Sequence, residues 1–270
     1  MQPESGGFVS RSPVTGDLRT DHQDLAPAVI SDGRLSIDLG GTIVEITSAA
    51  RDWLSETRER YGAFVCSGRD AEISVIHTND EGAMTARTGY LSVVGSNGRS
   101  AEVAAAQGTD VLDGVIRTLL PRVIAPDLMV HGALLSDGER GFLCCGVSGS
   151  GKSTMAALFP EAALCDELVR LHVGPEGVEA RSLPFWTARP ASVALGGIFM
   201  IEHGADHRRT RLSYSDAVKA LRRHIYWPVE HLDLMHQSFE AMTDICRDTP
   251  AFRLAFRPDV SVWATMTEGL

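Results

Sequence analysis

Gly146-Val147-Ser148-Gly149-Ser150-Gly151-Lys152-Ser153 fits the pattern G-x-x-x-x-G-K-[ST]. In a chain of this composition the pattern arises by chance with a probability of roughly 0.3 %. The flanking sequence agrees with it. Ahead lies the apolar run 142–145, which reads as a buried strand, and residues 153–159 behind it are helix-forming up to Pro160. In such a strand–loop–helix unit the glycines let successive backbone N–H groups turn inward on phosphate oxygens, and the helix N-terminus adds its positive end. Lys152 would reach the β- and γ-phosphates of a nucleotide, and the Ser153 hydroxyl would take a place on Mg²⁺. The expected cradle is Gly146, Ser148, Gly149, Ser150, Gly151, Lys152, Ser153 and Thr154, holding ATP with Mg²⁺. Of 25 basic side chains only Lys152 and Lys219 are lysines, so a chain that otherwise uses arginine keeps a lysine inside its strongest motif.

Moving outward, Asp166-Glu167 ends an apolar segment shortly after the loop. A short crossover helix predicts that this segment lies beside the loop's strand in a parallel sheet, with both C-terminal ends together. Asp166 would then stand next to the γ-phosphate, where a carboxylate holds Mg²⁺ or takes the proton of an attacking hydroxyl. On the other side, His131-Gly132 belongs to an apolar stretch, 128–135, that reads as one strand. His131 there reads as a satisfied core or rim residue or, in the functional reading, as a polar group near the phosphates or the incoming nucleophile.

The remaining pattern supplies the scaffold. Residues 1–27 mix Gly, Ser, Pro and Asp without periodicity and predict a disordered tail. From 28 to 107 short strands and one helix predict a small α+β domain. Leu35, Ile37 and Leu39 alternate before a turn at Gly40-Gly41, residues 48–61 read as a helix, and Asn97-Gly98 signals a hairpin. From 108 to 270 an α/β domain is expected. It opens on a helix with Asp110 at its start and Leu112, Ile116 and Leu120 on its core side. A hairpin over 168–183, a strand at 194–201, two helices near 213–225 and 230–246 and a last strand near 252–256 follow. Trp227 and Trp263 read as core.

With net charge −10 and only short basic pairs, the chain is not expected to bind nucleic acid or an anionic membrane surface. No apolar run reaches the roughly 18 residues of a membrane span, and the first residues lack a signal-peptide core, so a soluble cytoplasmic protein is expected. The five cysteines show no metal-ligand spacing, and Cys144-Cys145 read as small buried hydrophobes.

Taken in order, His131-Gly132, the apolar run 142–145, Gly146–Ser153, the short helix and Asp166-Glu167 resemble the catalytic domain of the HPr kinase/phosphorylase family. That family shares a P-loop fold with PEP carboxykinase. Pro184-Phe185-Trp186 and the segment 195–202 add to the likeness, which covers roughly 108–265. The front part is similar in layout to the β-rich leader of short HPr kinase-related proteins. The resemblance implies phosphoryl transfer from ATP to a Ser or similar hydroxyl of a protein or peptide, including precursor peptides of modification systems. Asp166 would be the general base, Glu167 would assist with Mg²⁺, and His131 would assist at the phosphates. A homo-oligomer is compatible with it. The same residues would equally serve a metabolite kinase or a nucleotide-gated binding module.

Two patterns invite other readings. Asp38-Leu39-Gly40-Gly41-Thr42 looks like the phosphate loop of sugar kinases, but without that fold's further motifs a plain hairpin is expected. Glu202, His203 and His207, and the set His224, His231 and His236, share no consistent face for a metal and read as solvated or capping. Arg189, Arg208, Arg209, Arg222 and Arg223 form the pool for an arginine that neutralises transition-state charge.

Overall fold

The computed structural model describes residues 33–67, 69–79, 89–95, 100–105, 110–185, 187–229 and 231–270. The expected tail 1–27, the Asn97-Gly98 turn and Trp186 lie outside the described residues. The described elements open with β1 (Arg34–Asp38), β2 (Ile43–Ser48), α1 (Arg51–Tyr61), β3 (Val65–Cys66), β4 (Ile73–Asn79), β5 (Gly89–Gly95) and β6 (Ser100–Ala105). These strands form one sheet in the order β3-β1-β2-β4-β5-β6, antiparallel except for the β2–β4 pair. Leu35, Ile37 and Leu39 alternate inward, as period-2 patterning requires. Gly40 and Gly41 both have positive φ, and the Leu39 N–H donates to the Thr42 carbonyl at 2.8 Å. Asp38–Thr42 is therefore a two-residue β-hairpin turn and no phosphate loop.

The helix α2 (Asp110–Ile124) leads to the second sheet and runs through Pro121. Leu112, Ile116, Leu120 and Ile124 keep one face buried over that length. They join Leu35, Ile37, Ile46, Tyr61 and Val75 of the front in one core that also takes in Met129, Leu168, Leu183 and Phe185. Arg170 and Arg181 donate to the Gly40 carbonyl at 3.0 Å each, fastening the first hairpin to the second sheet.

The rest comprises β7 (Leu128–His131), β8 (Ala133–Ser136), β9 (Arg140–Cys145), α3 (Lys152–Leu158), β10 (Ala163–Cys165), β11 (Leu168–Gly174), β12 (Gly177–Ser182), β13 (Ser192–His203), β14 (Arg208–Arg211), α4 (Tyr214–Leu221), β15 (Ile225–Tyr226), α5 (Leu232–Asp248), β16 (Ala251–Phe256) and α6 (Val262–Thr267). The sheet runs β10-β8-β9-β13-β12-β11-β7-β15, with β16 also on β13 and β14 on β16. On β9, Phe142 and Cys144 pack with Met155, Phe199, Phe256 and Met266, while Leu143 and Cys145 pack with Ala217, Leu221, Met242 and Ile245. Helices thus cover both faces, and a strand apolar at every position is what such a layer needs. The protein is mixed α/β, and the two sheets belong to one compact unit. No helix among the described residues is long and apolar enough to cross a membrane.

Two sequence expectations need correction. The stretch 128–135 is two strands, because the chain bends at Gly132 and changes its pairing. Further, the strand leading to Asp166 does not adjoin the loop's strand. β8 lies between β10 and β9, and the parallel neighbour of β9 is β13. Since β8 is antiparallel to both, β10 and β9 still run in the same direction and end on the same side.

The ladder shows why. Leu135 and Leu134 pair with Ala163 and Cys165, and after a gap His131, Val130, Met129 and Leu128 pair with Leu168, Val169, Arg170 and Leu171. Two long bent strands, 128–136 and 163–174, run together and are interrupted at the same level: Gly132 on one, Asp166-Glu167 on the other. A Cβ at Gly132 would stand 2.9 Å from Leu143 Cδ1 and 3.0 Å from the Cys144 carbonyl. Gly132→Ala is therefore expected to destabilise the protein by about 1–3 kcal/mol, read as a lower urea midpoint at unchanged slope.

Candidate active site

The loop between β9 and α3 takes its shape from a few contacts. Gly151 has φ 101° and precedes α3, and a Cβ there would come within 2.7 Å of Phe256 Cζ. Only glycine fits both the left-handed backbone and that approach. Lys152, 8 % exposed, folds back so that Nζ donates to the carbonyls of Gly146 at 2.9 Å and Val147 at 3.3 Å. The Ser150 N–H donates to the Val147 carbonyl at 3.0 Å, and His203 Nε2 lies 2.7 Å from the Gly149 carbonyl oxygen. The peptide between Gly149 and Ser150 is thereby held at both ends. Ser148, Ser153 and Thr154 are exposed at the mouth, whereas the Ser150 Oγ is buried without a partner.

Asp166-Glu167 sits in the break of the bent strands, facing His131-Gly132. The Gly132 N–H donates to the Glu167 carbonyl at 3.1 Å, and the His131 N–H donates to the His224 carbonyl at 2.7 Å. Glu167 Oε1 accepts from Arg117 Nη1 at 3.0 Å, and its Oε2 lies 3.5 Å from His131 Nε2. Arg117 also donates to the Tyr226 hydroxyl at 3.0 Å and stands 4.7 Å over the Phe185 ring. Asp166 differs: its Oδ1 is buried with no hydrogen-bond partner. A native fold rarely leaves such an atom unsatisfied, and doing so at a carboxylate marks a place for a ligand.

Electrostatics link the loop to the break. Burial lowers the His131 imidazole, Glu167 opposes that, and Lys152 and Arg117 add to it. Burial, with Lys152, His131 and Arg223 as further causes, pushes His224 down to about 4 from 6.5. A histidine neutral in the folded chain and free to charge in the unfolded one destabilises the fold as pH drops. Stability is therefore expected to fall by about 1–2 kcal/mol as pH drops through that window, a figure discounted for the solvent that reaches the ring. Denaturant melts of His224→Asn are expected to show a shallower pH slope there.

The sequence grouped Lys152, Asp166, Glu167 and His131, and the fold brings them to one region. Arg117, Tyr226, His203 and His224 were not read as part of it. His203 and His224 had appeared only in the metal patterns; His207 instead meets Ser261 Oγ at 3.0 Å. Nothing local marks Arg117, because its partners lie 50 and 109 residues away. Of the expected arginine pool, Arg209 is spent on the Met266 and Glu268 carbonyls and Arg189 on that of Glu161.

Among the described residues there is no group of three or more His, Cys, Asp and Glu side chains fit for a metal. The donor set near the loop is instead a hydroxyl, Ser153, with carboxylate oxygen, which suits a hard cation that also takes phosphate oxygens. Two of the buried polar atoms without a hydrogen-bond partner, Ser150 Oγ and Asp166 Oδ1, lie in this region, and a phosphate and its cation fit them as partners. No protein-family model matches the chain, and no curated protein matches it.

Proposed function

We propose that the protein is an ATP-dependent kinase of the HPr kinase-like P-loop type, acting on a Ser or Thr hydroxyl of a protein or peptide. One observation carries the reading. A glycine-held loop with a folded-back lysine and an unpartnered carboxylate belong to strands that end on the same side of one sheet. A carboxylate there can hold the nucleotide's Mg²⁺, and it also meets the need of transfer to a hydroxyl for a proton acceptor near the phosphate.

In this mechanism Lys152 leaves the Gly146 and Val147 carbonyls and neutralises the phosphates, with the loop amides fixing their orientation. Ser153 and Asp166 would hold Mg²⁺, which supplies charge neutralisation to the bound ATP. Asp166 takes the proton of the acceptor hydroxyl. His131, kept neutral by its surroundings, lines the same break.

The test mixes purified protein, Mg²⁺ and γ-labelled ATP with size-fractionated extract of the source cell, the Lys152→Ala protein running alongside. Label in a protein or peptide fraction, lost in the variant, supports the proposal. Label confined to small molecules would replace it with a metabolite kinase, and no Lys152-dependent label despite bound ATP would leave a nucleotide-gated module.

A further inference from the structure

We propose that Glu167 serves as the orienting carboxylate of His131, fixed in that role by Arg117, and that Asp166 alone of the acidic pair meets the cation. The inference rests on the phosphoryl-transfer reading and assigns the two neighbouring carboxylates different work.

One oxygen of Glu167 accepts from Arg117, and the other faces His131 Nε2 at 3.5 Å. Arg117 is itself anchored: the Tyr226 hydroxyl accepts from the same nitrogen, and the guanidinium lies over the face of Phe185. Its side chain is only 24 % exposed. Were Glu167 to swing to a cation, it would leave a largely enclosed guanidinium without its carboxylate, an arrangement proteins avoid. The backbone permits little adjustment. His131 pairs with Leu168 in the ladder, the Gly132 N–H holds the Glu167 carbonyl, and the His131 N–H holds that of His224. Carboxylate and imidazole are therefore placed relative to each other by the sheet. An acceptor facing Nε2 at 3.5 Å favours the tautomer with its proton on that nitrogen, so the contact biases both ring orientation and tautomer.

Asp166 has the opposite character, with a buried oxygen and nothing to bind it. One residue along the chain thus separates a carboxylate consumed by the protein from one left open. Arg117 acts through Glu167 and is a positioning residue. It comes from α2, whose Leu112, Ile116 and Leu120 are buried in the front core, so a helix packed on the front sheet lends this side chain to the site.

The experiment uses the full chain with adenylyl imidodiphosphate, reading Mn²⁺ affinity by electron paramagnetic resonance and, with diamagnetic Mg²⁺ in its place, the His131 ring by nitrogen-15 spectra. Asp166→Asn is expected to weaken Mn²⁺ by about tenfold or more, whereas Glu167→Gln and Arg117→Met stay within about threefold of wild type. In those last two variants the His131 ring is expected to pass from one tautomer to a mixture, and in Arg117→Lys to keep the wild-type signature. Equal Mn²⁺ losses in Glu167→Gln and Asp166→Asn, with nucleotide bound, would overturn this assignment alone. So would an unchanged ring signature in both Glu167→Gln and Arg117→Met. A wild-type protein that binds no adenylyl imidodiphosphate would remove the nucleotide reading and this assignment with it.

Discussion

Lys152→Ala is expected to abolish measurable transfer from ATP, a fall of about 10³-fold or more. In the free protein the lysine's bonds go to two loop carbonyls, so its charge has no carboxylate to surrender before it meets a phosphate. Charge neutralisation that needs no rearrangement of other side chains contributes fully in the transition state. The variant should still fold, since removing the ammonium leaves the Gly146 and Val147 carbonyls at a loop that water can enter. Lys152→Arg should fail to restore activity, because a planar fork does not fit where a compact ammonium reaches between two carbonyls. The measurement is γ-label transfer beside a thermal melt. Label transfer at the wild-type rate in Lys152→Ala, with the fold intact, would remove the loop from the chemistry.

Asp166→Asn is expected to lower turnover by about 10³-fold while nucleotide binding at saturating Mg²⁺ changes by about threefold or less. The amide matches the carboxylate in shape and keeps an oxygen for the cation, but it cannot accept the hydroxyl proton. With Mg²⁺ saturating, which offsets the weaker cation binding of the variant, the loss should appear in kcat and leave the KM for ATP nearly untouched. Full turnover in Asp166→Asn would assign the proton to another group, and His131 in the same break is the alternative to test.

Much of this site was open to reading because its strongest parts are local. A buried strand, glycines at fixed spacing and a helix start are all encoded within about twenty residues, and the first hairpin is announced by two adjacent glycines. The bend at Gly132 was not legible. Leu128, Val130, Ala133, Leu134 and Leu135 are all buried, so the apolar pattern runs on without a break while the pairing partners change. Strand order is likewise absent from local pattern, which is how β10 came to be expected beside β9. The strand β14 escaped notice because it is rich in arginine. Arg209 and Arg211 lay their guanidinium groups over Phe252, at 4.8 and 5.1 Å, so a charged strand is anchored on an aromatic ring. Arg117 was hidden for a different reason, since its meaning depends on contacts that only the closed fold creates.

That dependence has a consequence for a chain still being made. Synthesis runs from the N-terminus, so the cradle at Gly146–Ser153 emerges before Asp166 and well before Tyr226. Local contacts form readily, whereas pairings across 109 residues must wait until the intervening chain is ordered. The cradle must wait as well, because His203 meets the Gly149 carbonyl and Gly151 sits against Phe256, so loop and break are completed together as the last strands join. On the proposed kinase reading, both the hold on a nucleotide and the chemistry are therefore properties of the finished protein alone.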